Sequence, residues 1–337
     1  MTKIAINGFG RIGRIFFRQA FSASGGDLDI VAINDLGTPE NLAYLLKYDT
    51  VYGRYEKEVG YKNSTLVVDG KEIKILNEKE PANLPWKDLG VDIVIESTGV
   101  FDSREKSAPH LDAGAKRVII TAPAKDEITP TTTPGIAMEN AKLDKITSNA
   151  SCTTNAVNPV IAIMMADPGV KKALLTTVHG YTATQGLVDG PDKKGDFRHA
   201  RAAAQNIVPS HTGAAEATFR SLPNLVGKFD GLALRVPVIS GSIIDITFVS
   251  EKSTSVEEIN TIFKEAAARP EWQGILTITE DPIVSSDILK NPHGSIIDLA
   301  LTRVVDGDLV KVFSWYDNEW GYCAMLLKHV LLVAQIL

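Results

Sequence analysis

Short apolar runs alternate with segments of helical spacing along the 337 residues, and the alternation changes character about halfway. In the first half, Lys3–Asn7, Asp29–Asn34, Val91–Glu96 and Arg117–Ile120 read as strands. Val91–Glu96 is almost continuously apolar, as expected of a parallel strand covered on both faces. Arg14–Phe21, Asn41–Tyr48 and Arg104–Ala113 read as the intervening helices. Thr65–Val68 and Ile73–Leu76 flank Asp69-Gly70, a preferred pair for a two-residue hairpin turn. This repetition predicts a doubly wound, mostly parallel sheet. The second half carries strands at Ala173–Val178, Leu232–Val238, Ile243–Ser250 and Leu309–Trp315. Helices are expected at Ala156–Ala166, Ala214–Leu222, Ser255–Ala268 and Ala324–Leu337. Several antiparallel-looking strands with helices on one side predict an α+β domain with a mostly antiparallel sheet.

The first strand runs directly into Gly8-Phe-Gly10-Arg11-Ile12-Gly13, and a helix follows. In that setting Gly-x-Gly-x-x-Gly is a dinucleotide fingerprint. Gly8 allows the tight turn, Gly10 lets the backbone approach a diphosphate, and Gly13 lets the helix pack on the strand. The diphosphate would rest on the N–H groups of the helix start. Asp35 ends the second strand, 22 positions beyond Gly13. An acid there suits the adenosine ribose hydroxyls and repels a 2′-phosphate, which favours NAD over NADP. The α/β first half is therefore of Rossmann type. Ser97-Thr98-Gly99 closes the Val91–Glu96 strand with small residues, at the carboxyl end where ligands sit.

Ser148-Asn-Ala-Ser-Cys-Thr-Thr-Asn155 holds one of only two cysteines, between a strand end at Lys145–Thr147 and an apolar helix. Ser151 is placed as N-cap, and Cys152 falls in the first turn, where free N–H groups and the helix dipole favour a thiolate. A buried structural cysteine is the alternative. His179 ends a strand, and a near-neutral imidazole there is a candidate base for Cys152; a purely structural histidine is the alternative. The stretch 181–204 is polar, turn-rich and locally basic through Lys193, Lys194, Arg198 and Arg201. Pro209–Gly213 opens a helix with small polar residues. Arg235, inside an apolar strand, calls for an anion or a carboxylate, and a substrate phosphate is the reading favoured. Thr129–Pro134 reads as a structural turn.

Composition narrows the class. An apolar fraction of 44%, a charged fraction of 23% and a net charge of −6 describe an ordinary globular protein, and argue against an extended nucleic-acid surface. No Cys/His cluster has zinc spacing, so no metal is expected. With a strand read at once from Lys3, no signal peptide is expected, and Ala324–Leu337, with Lys328 and His329, is too short to span a bilayer. A cytoplasmic protein is expected.

Together these residues resemble one family, phosphorylating glyceraldehyde-3-phosphate dehydrogenase. The matching words are Ile-Asn-Gly-Phe-Gly-Arg-Ile-Gly-Arg at 6–14, Ser-Asn-Ala-Ser-Cys-Thr-Thr-Asn at 148–155, Thr-Gly-Ala-Ala at 212–215, Arg-Val-Pro at 235–237 and Ser-Trp-Tyr-Asp-Asn-Glu-Trp-Gly-Tyr at 314–322. The resemblance implies oxidation of D-glyceraldehyde 3-phosphate with NAD and inorganic phosphate, Cys152 as nucleophile and His179 as base. It implies NAD contacts at Arg11, Ile12, Asp35, Lys79, Thr121 and Asn318, the last near the nicotinamide amide. It places the attacking phosphate at Ser151, Thr153, Thr212 and Gly213, and the substrate's phosphate at Thr182 and Arg235. Leu36 and Pro191 match NAD-preferring members. The resemblance also implies a homotetramer, with the 181–204 loop near a neighbour's cofactor. Domains are expected at 1–151 (NAD-binding) and 152–317 (catalytic), with a C-terminal helix over 318–337 packing back on the first.

Ala156 stands where many members carry a second Cys, His211 replaces a Ser or Thr, and Glu216 replaces a common Lys. The glutamate is expected to bring negative charge near an anion site. The 181–204 loop carries an extra residue or two near Lys194-Gly195. An erythrose-4-phosphate dehydrogenase shares this layout and releases an acid to water; a non-catalytic nucleotide- or RNA-binding protein is the alternative of another class.

Overall fold

A computed structural model describes residues 1–23, 27–192 and 195–337; Lys193 and Lys194 of the basic loop lie outside the described residues. The chain forms two compact units, residues 1–151 with 323–337, and residues 152–322.

The first unit follows the alternation: β1 (Thr2–Asn7), α1 (Arg11–Ala23), β2 (Leu28–Asn34), α2 (Pro39–Lys47), β3 (Val59–Lys62), β4 (Thr65–Val68), β5 (Lys71–Leu76), α3 (Trp86–Leu89), β6 (Ile93–Glu96), α4 (Arg104–Ser107), α5 (Pro109–Asp112), β7 (Arg117–Ile120) and β8 (Ile146–Ser148). The sheet order is β3-β4-β5-β2-β1-β6-β7-β8. Pairings from β5 through β8 are parallel, and β3 and β4 add antiparallel strands at one edge. β1 and β6 lie side by side in the middle, so their carboxyl ends frame the opening where strand order reverses.

Two details differ from the sequence pattern. α1 begins at Arg11, so the last residues of the glycine motif already belong to the helix. The expected helix over 104–113 is two short ones, because Pro109 lacks the N–H that a continuous helix needs. Thr131, in the Thr/Pro-rich turn, also bridges Ser148 of β8.

The second unit contains α6 (Cys152–Ala166), β9 (Val170–Gly180), β10 (Val208–His211), α7 (Ala214–Ser221), β11 (Phe229–Val236), β12 (Ser242–Ser250), α8 (Val256–Ala268), β13 (Leu276–Thr279), β14 (Ser295–Asp298), β15 (Arg303–Val305) and β16 (Leu309–Tyr316). Its sheet order is β10-β11-β9-β12-β16-β14-β13, with β15 also on β16. The sheet is mostly antiparallel; β11 with β9 and β13 with β14 are parallel. Burial alternates residue by residue along β12, so one sheet face is core and the other is half-open. α6 is buried along most of its length and packs on that sheet. α9 (Trp320–Gln335) starts in the second unit and continues, from Cys323, in the first.

Candidate active site

In the first unit, the carboxyl ends of β1 and β2 and the loops after β5 and β6 meet at a cavity of about 490 Å³ lined by Asn7, Gly8, Gly10, Asn34, Asp35, Leu36, Glu78, Lys79, Thr98, Val100 and Phe101, among others. Gly8 has φ +93, and a Cβ there would lie 2.6 Å from the Thr98 nitrogen. A Cβ at Gly13 would lie 2.2 Å from the Gly8 carbonyl oxygen, so α1 can approach β1 only with glycine at that position. At Gly10 a Cβ would meet nothing within 4 Å among the described residues, which leaves room for a ligand against the backbone. No acidic residue sits in the first turn of α1, so its positive end is uncompensated from within. This cradle fits a dinucleotide diphosphate.

Asp35 is held in place by its neighbours. Its carboxylate accepts the Phe9 N–H at 2.7 Å and the Gly37 N–H at 2.8 Å. Of the expected cofactor residues, Gly8, Gly10, Asp35 and Lys79 line the cavity, whereas Arg11, Ile12, Gly13 and Thr121 do not. The Arg11 guanidinium instead pairs with Asp49 and lies over the Tyr52 ring. Thr121 donates its hydroxyl to the Glu96 carbonyl at 3.1 Å.

In the second unit, α6 starts at Cys152, and β9 carries His179 as its penultimate residue. Cys152 Sγ lies 3.3 Å from His179 Nε2. β11 runs parallel to β9 with Arg235 in register with His179. His179 Nδ1 lies 2.6 Å from the Gly180 carbonyl oxygen and 2.5 Å from Nη1 of Arg235. A carbonyl only accepts and a guanidinium only donates, so the two contacts ask opposite states of Nδ1. With Nδ1–H donating to Gly180, Nε2 turns a lone pair to the thiol, as a base must. The edge of the Tyr316 ring meets the imidazole at a centroid distance of 5.9 Å. The Tyr316 hydroxyl joins Thr153 Oγ1 at 2.9 Å and Thr177 Oγ1 at 2.8 Å, beneath the first turn of α6. Nothing in the sequence pattern singled out Tyr316 and Thr177 as this support; a tyrosine closing an apolar strand was the available signal.

Electrostatics here correct one expectation. Burial pushes the Cys152 thiol up, with Arg235 opposing that shift. Burial, aided by Arg235, pulls His179 down to about 3. Both effects disfavour a resting thiolate–imidazolium pair, and the helix start does not overcome them. Cys152 is partly covered and His179 is buried.

Among the anion candidates, Thr182 Oγ1 meets Thr184 Oγ1 at 2.8 Å, and Thr212 Oγ1 accepts the Ala214 N–H at 3.2 Å. Gly213 precedes α7 without a side-chain cap. Arg235 is half-buried, less enclosed than its apolar strand suggested. His211 is exposed, and Glu216 is exposed and paired with Arg220 at 3.0 Å, so the charge expected near the anion site is partly neutralised. Asn318 is buried, and its carbonyl oxygen accepts from Gly241 N–H at 3.1 Å and Ser242 Oγ at 2.8 Å. Ser151 immediately precedes α6. Among the described residues no cluster of metal-ligating side chains occurs, and no helix is long and apolar enough to cross a membrane.

Two family models match this sequence: the glyceraldehyde 3-phosphate dehydrogenase NAD binding domain over residues 2–104, and the C-terminal domain of the same enzyme over residues 151–318. The chain belongs to the glyceraldehyde 3-phosphate dehydrogenase family. It is 49% identical over 329 residues to glyceraldehyde-3-phosphate dehydrogenase of Streptomyces coelicolor, covering 96% of both chains. It is 50% identical over 327 residues to the Borreliella burgdorferi enzyme, covering 95% of this chain and 96% of that one. The Mycolicibacterium smegmatis enzyme is 49% identical over 344 residues, with 99% of each chain covered. The resemblance read from the sequence words thus holds over nearly the whole length, and the glycine-rich cradle lies within the family's NAD-binding domain.

Proposed function

We propose that this chain oxidises D-glyceraldehyde 3-phosphate to 1,3-bisphosphoglycerate with NAD and inorganic phosphate. The observation that carries the reading is the 3.3 Å approach of His179 Nε2 to Cys152 Sγ, in a chain whose other unit holds a dinucleotide cradle. His179 takes the thiol proton as sulfur bonds to the aldehyde carbon and returns it to the resulting oxyanion, which gives a thiohemiacetal on Cys152. Bound NAD supplies the hydride acceptor. His179 holds the hydroxyl proton as the carbonyl re-forms, and a thioester remains on Cys152. Phosphate adds to that carbon, the C–S bond breaks, and the sulfur regains its electron pair. The N–H groups at the start of α6 are placed to stabilise the oxyanion of either tetrahedral species.

Gly8, Gly10, Arg11, Ile12 and Gly13 form the diphosphate cradle in this reading, Arg11 and Ile12 through backbone N–H groups of the first turn. Asp35 takes the ribose hydroxyls, Lys79 and Thr121 contact the adenosine half, and Asn318 donates to the nicotinamide carboxamide. Ser151, Thr153, Thr212 and Gly213 bind the attacking phosphate; Thr182 and Arg235 bind that of the substrate. The first unit acts as the NAD domain and the second as the catalytic domain. A cytoplasmic homotetramer completes the reading; the exposed apolar side chains Leu187, Val188 and Phe197 support a subunit contact through the 181–204 loop.

Trapping the covalent step tests this. Substrate and NAD without phosphate should leave an acyl group on Cys152, detectable by intact-mass analysis and removed by added phosphate. Unmodified Cys152 after a full burst of NADH would overturn the reading.

A further inference from the structure

Glu96 ends the central strand β6, is 2% exposed, and meets no cationic side chain among the described residues apart from the imidazole of His110. Its carboxylate is satisfied by four donors instead. Oε2 accepts from Asn7 Nδ2 at 2.6 Å and faces His110 Nε2 at 3.1 Å. Oε1 accepts the Thr98 N–H at 2.8 Å and the Thr98 hydroxyl at 2.5 Å.

The His110 tautomer follows from its other contact. The Trp86 indole N–H donates to His110 Nδ1 at 3.0 Å, and an indole nitrogen can only donate. Nδ1 therefore accepts, the ring proton is on Nε2, and His110 gives it to Glu96. Both rings are fully buried. Four donors thus converge on the carboxylate, in the way buried polar networks fix a unique geometry.

From that carboxylate two arms reach the dinucleotide cavity. One is direct, through Thr98 on the loop after β6. The other runs through Asn7, whose oxygen accepts Asn34 Nδ2 at 2.7 Å; Asn34 in turn donates to the Glu78 carbonyl at 2.8 Å and accepts the Glu78 N–H at 2.9 Å. Asn7, Asn34, Glu78, Lys79 and Thr98 all line the cavity. One buried carboxylate therefore fixes two walls of the cofactor site from beneath.

We infer that Glu96 is the positioning residue of the NAD pocket, acting through Thr98 and through the Asn7–Asn34–Glu78 arm, with His110 and Trp86 holding its orientation. The inference rests on NAD binding in this cavity. Glu96→Gln tests it, because it keeps the shape and turns one acceptor into a donor that faces the donors on Asn7 and His110. NAD affinity by calorimetry should weaken about tenfold, and the KM for NAD should rise by a similar factor, while kcat at saturating NAD falls less than about threefold. A lower melting temperature with unchanged NAD affinity would mean a purely structural role and would overturn the inference. Should Glu96→Gln fail to fold, Asn34→Ser cuts only the arm to Glu78: several-fold weaker NAD binding supports the inference, and unaltered binding overturns it. Wild-type protein measured alongside separates the two claims, since failure of the wild type to bind NAD would sink the cofactor site itself.

Discussion

His179 Nε2 stands 3.3 Å from Cys152 Sγ, and the strand register that puts it there also brings Arg235 against the other ring nitrogen. The imidazole is thus held between the Cys152 sulfur and the Arg235 guanidinium. Replacing it by Asn keeps a polar side chain and removes the base. His179→Asn should lower kcat by about 10²–10⁴-fold, with a smaller change in substrate KM. Steady-state kinetics of NADH formation checks this; a loss below threefold would remove His179 from the chemistry.

Arg235 opposes the effect of burial on the thiol, so its charge helps sulfur ionise. Arg235→Leu should slow alkylation of Cys152 by iodoacetamide at mildly alkaline pH, by up to about tenfold, and move the rate profile toward higher pH. The cofactor-free wild type should itself show a thiol that ionises above the ordinary range. An unshifted profile in the variant would show that the guanidinium does not act on sulfur.

A second imidazole gives the fold a dependence on acid. His329 in α9 is buried, with Nδ1 3.1 Å from Asn149 Oδ1 and Nε2 3.2 Å from Thr147 Oγ1. Burial, aided by Arg117, pulls it down to about 3 from an ordinary 6.5. Between those values the unfolded chain binds the extra proton and the native state does not, so unfolding is favoured as pH falls. This stabilisation is complete above about 6.5 and is lost as pH drops toward 3; it is on the order of a few kcal/mol, and His179 adds to it in the same direction. The melting temperature should fall with acid over this window. His329→Gln, which still offers a donor and an acceptor, should flatten the slope by about one proton; an identical slope would contradict the assignment.

Asp35 accepts two backbone N–H groups with its carboxylate and still lines the cavity. Asp35→Ser removes the charge and the acceptor that the proposed function assigns to repelling a 2′-phosphate and holding the ribose hydroxyls. The KM for NAD should rise about tenfold and the preference over NADP should narrow. Paired kinetics with the two cofactors measures both; an unchanged ratio would move cofactor selection elsewhere.

Much of this was legible from residue order because the signals are local. Gly8, Gly10 and Gly13 sit between a strand and a helix, and their spacing alone predicts the tight turn and close helix approach that the Cβ positions at Gly8 and Gly13 show. The strands around β1, β2, β6 and β7 are apolar on both faces and announce themselves. β13, β14 and β15 are three or four residues long and mix polar with apolar side chains, so no period marks them. The Glu96 network was invisible for another reason. Asn7, Asn34, Glu96 and His110 lie far apart along the chain, and each reads singly as a strand end or a helix residue. Thr177 and Tyr316, which meet beside Thr153, are 139 positions apart. The shifts at the Cys152–His179 pair were not legible either, because a helix start is visible in sequence, whereas the density of protein around an imidazole is not.

The most direct test is NADH formation from glyceraldehyde 3-phosphate, followed with and without inorganic phosphate, in the wild type and in Cys152→Ser. Sustained turnover only with phosphate, falling by about 10⁴-fold or more in the variant, is the predicted result. Equal turnover without phosphate would mean that water resolves the thioester, and would contradict the acyl-phosphate route.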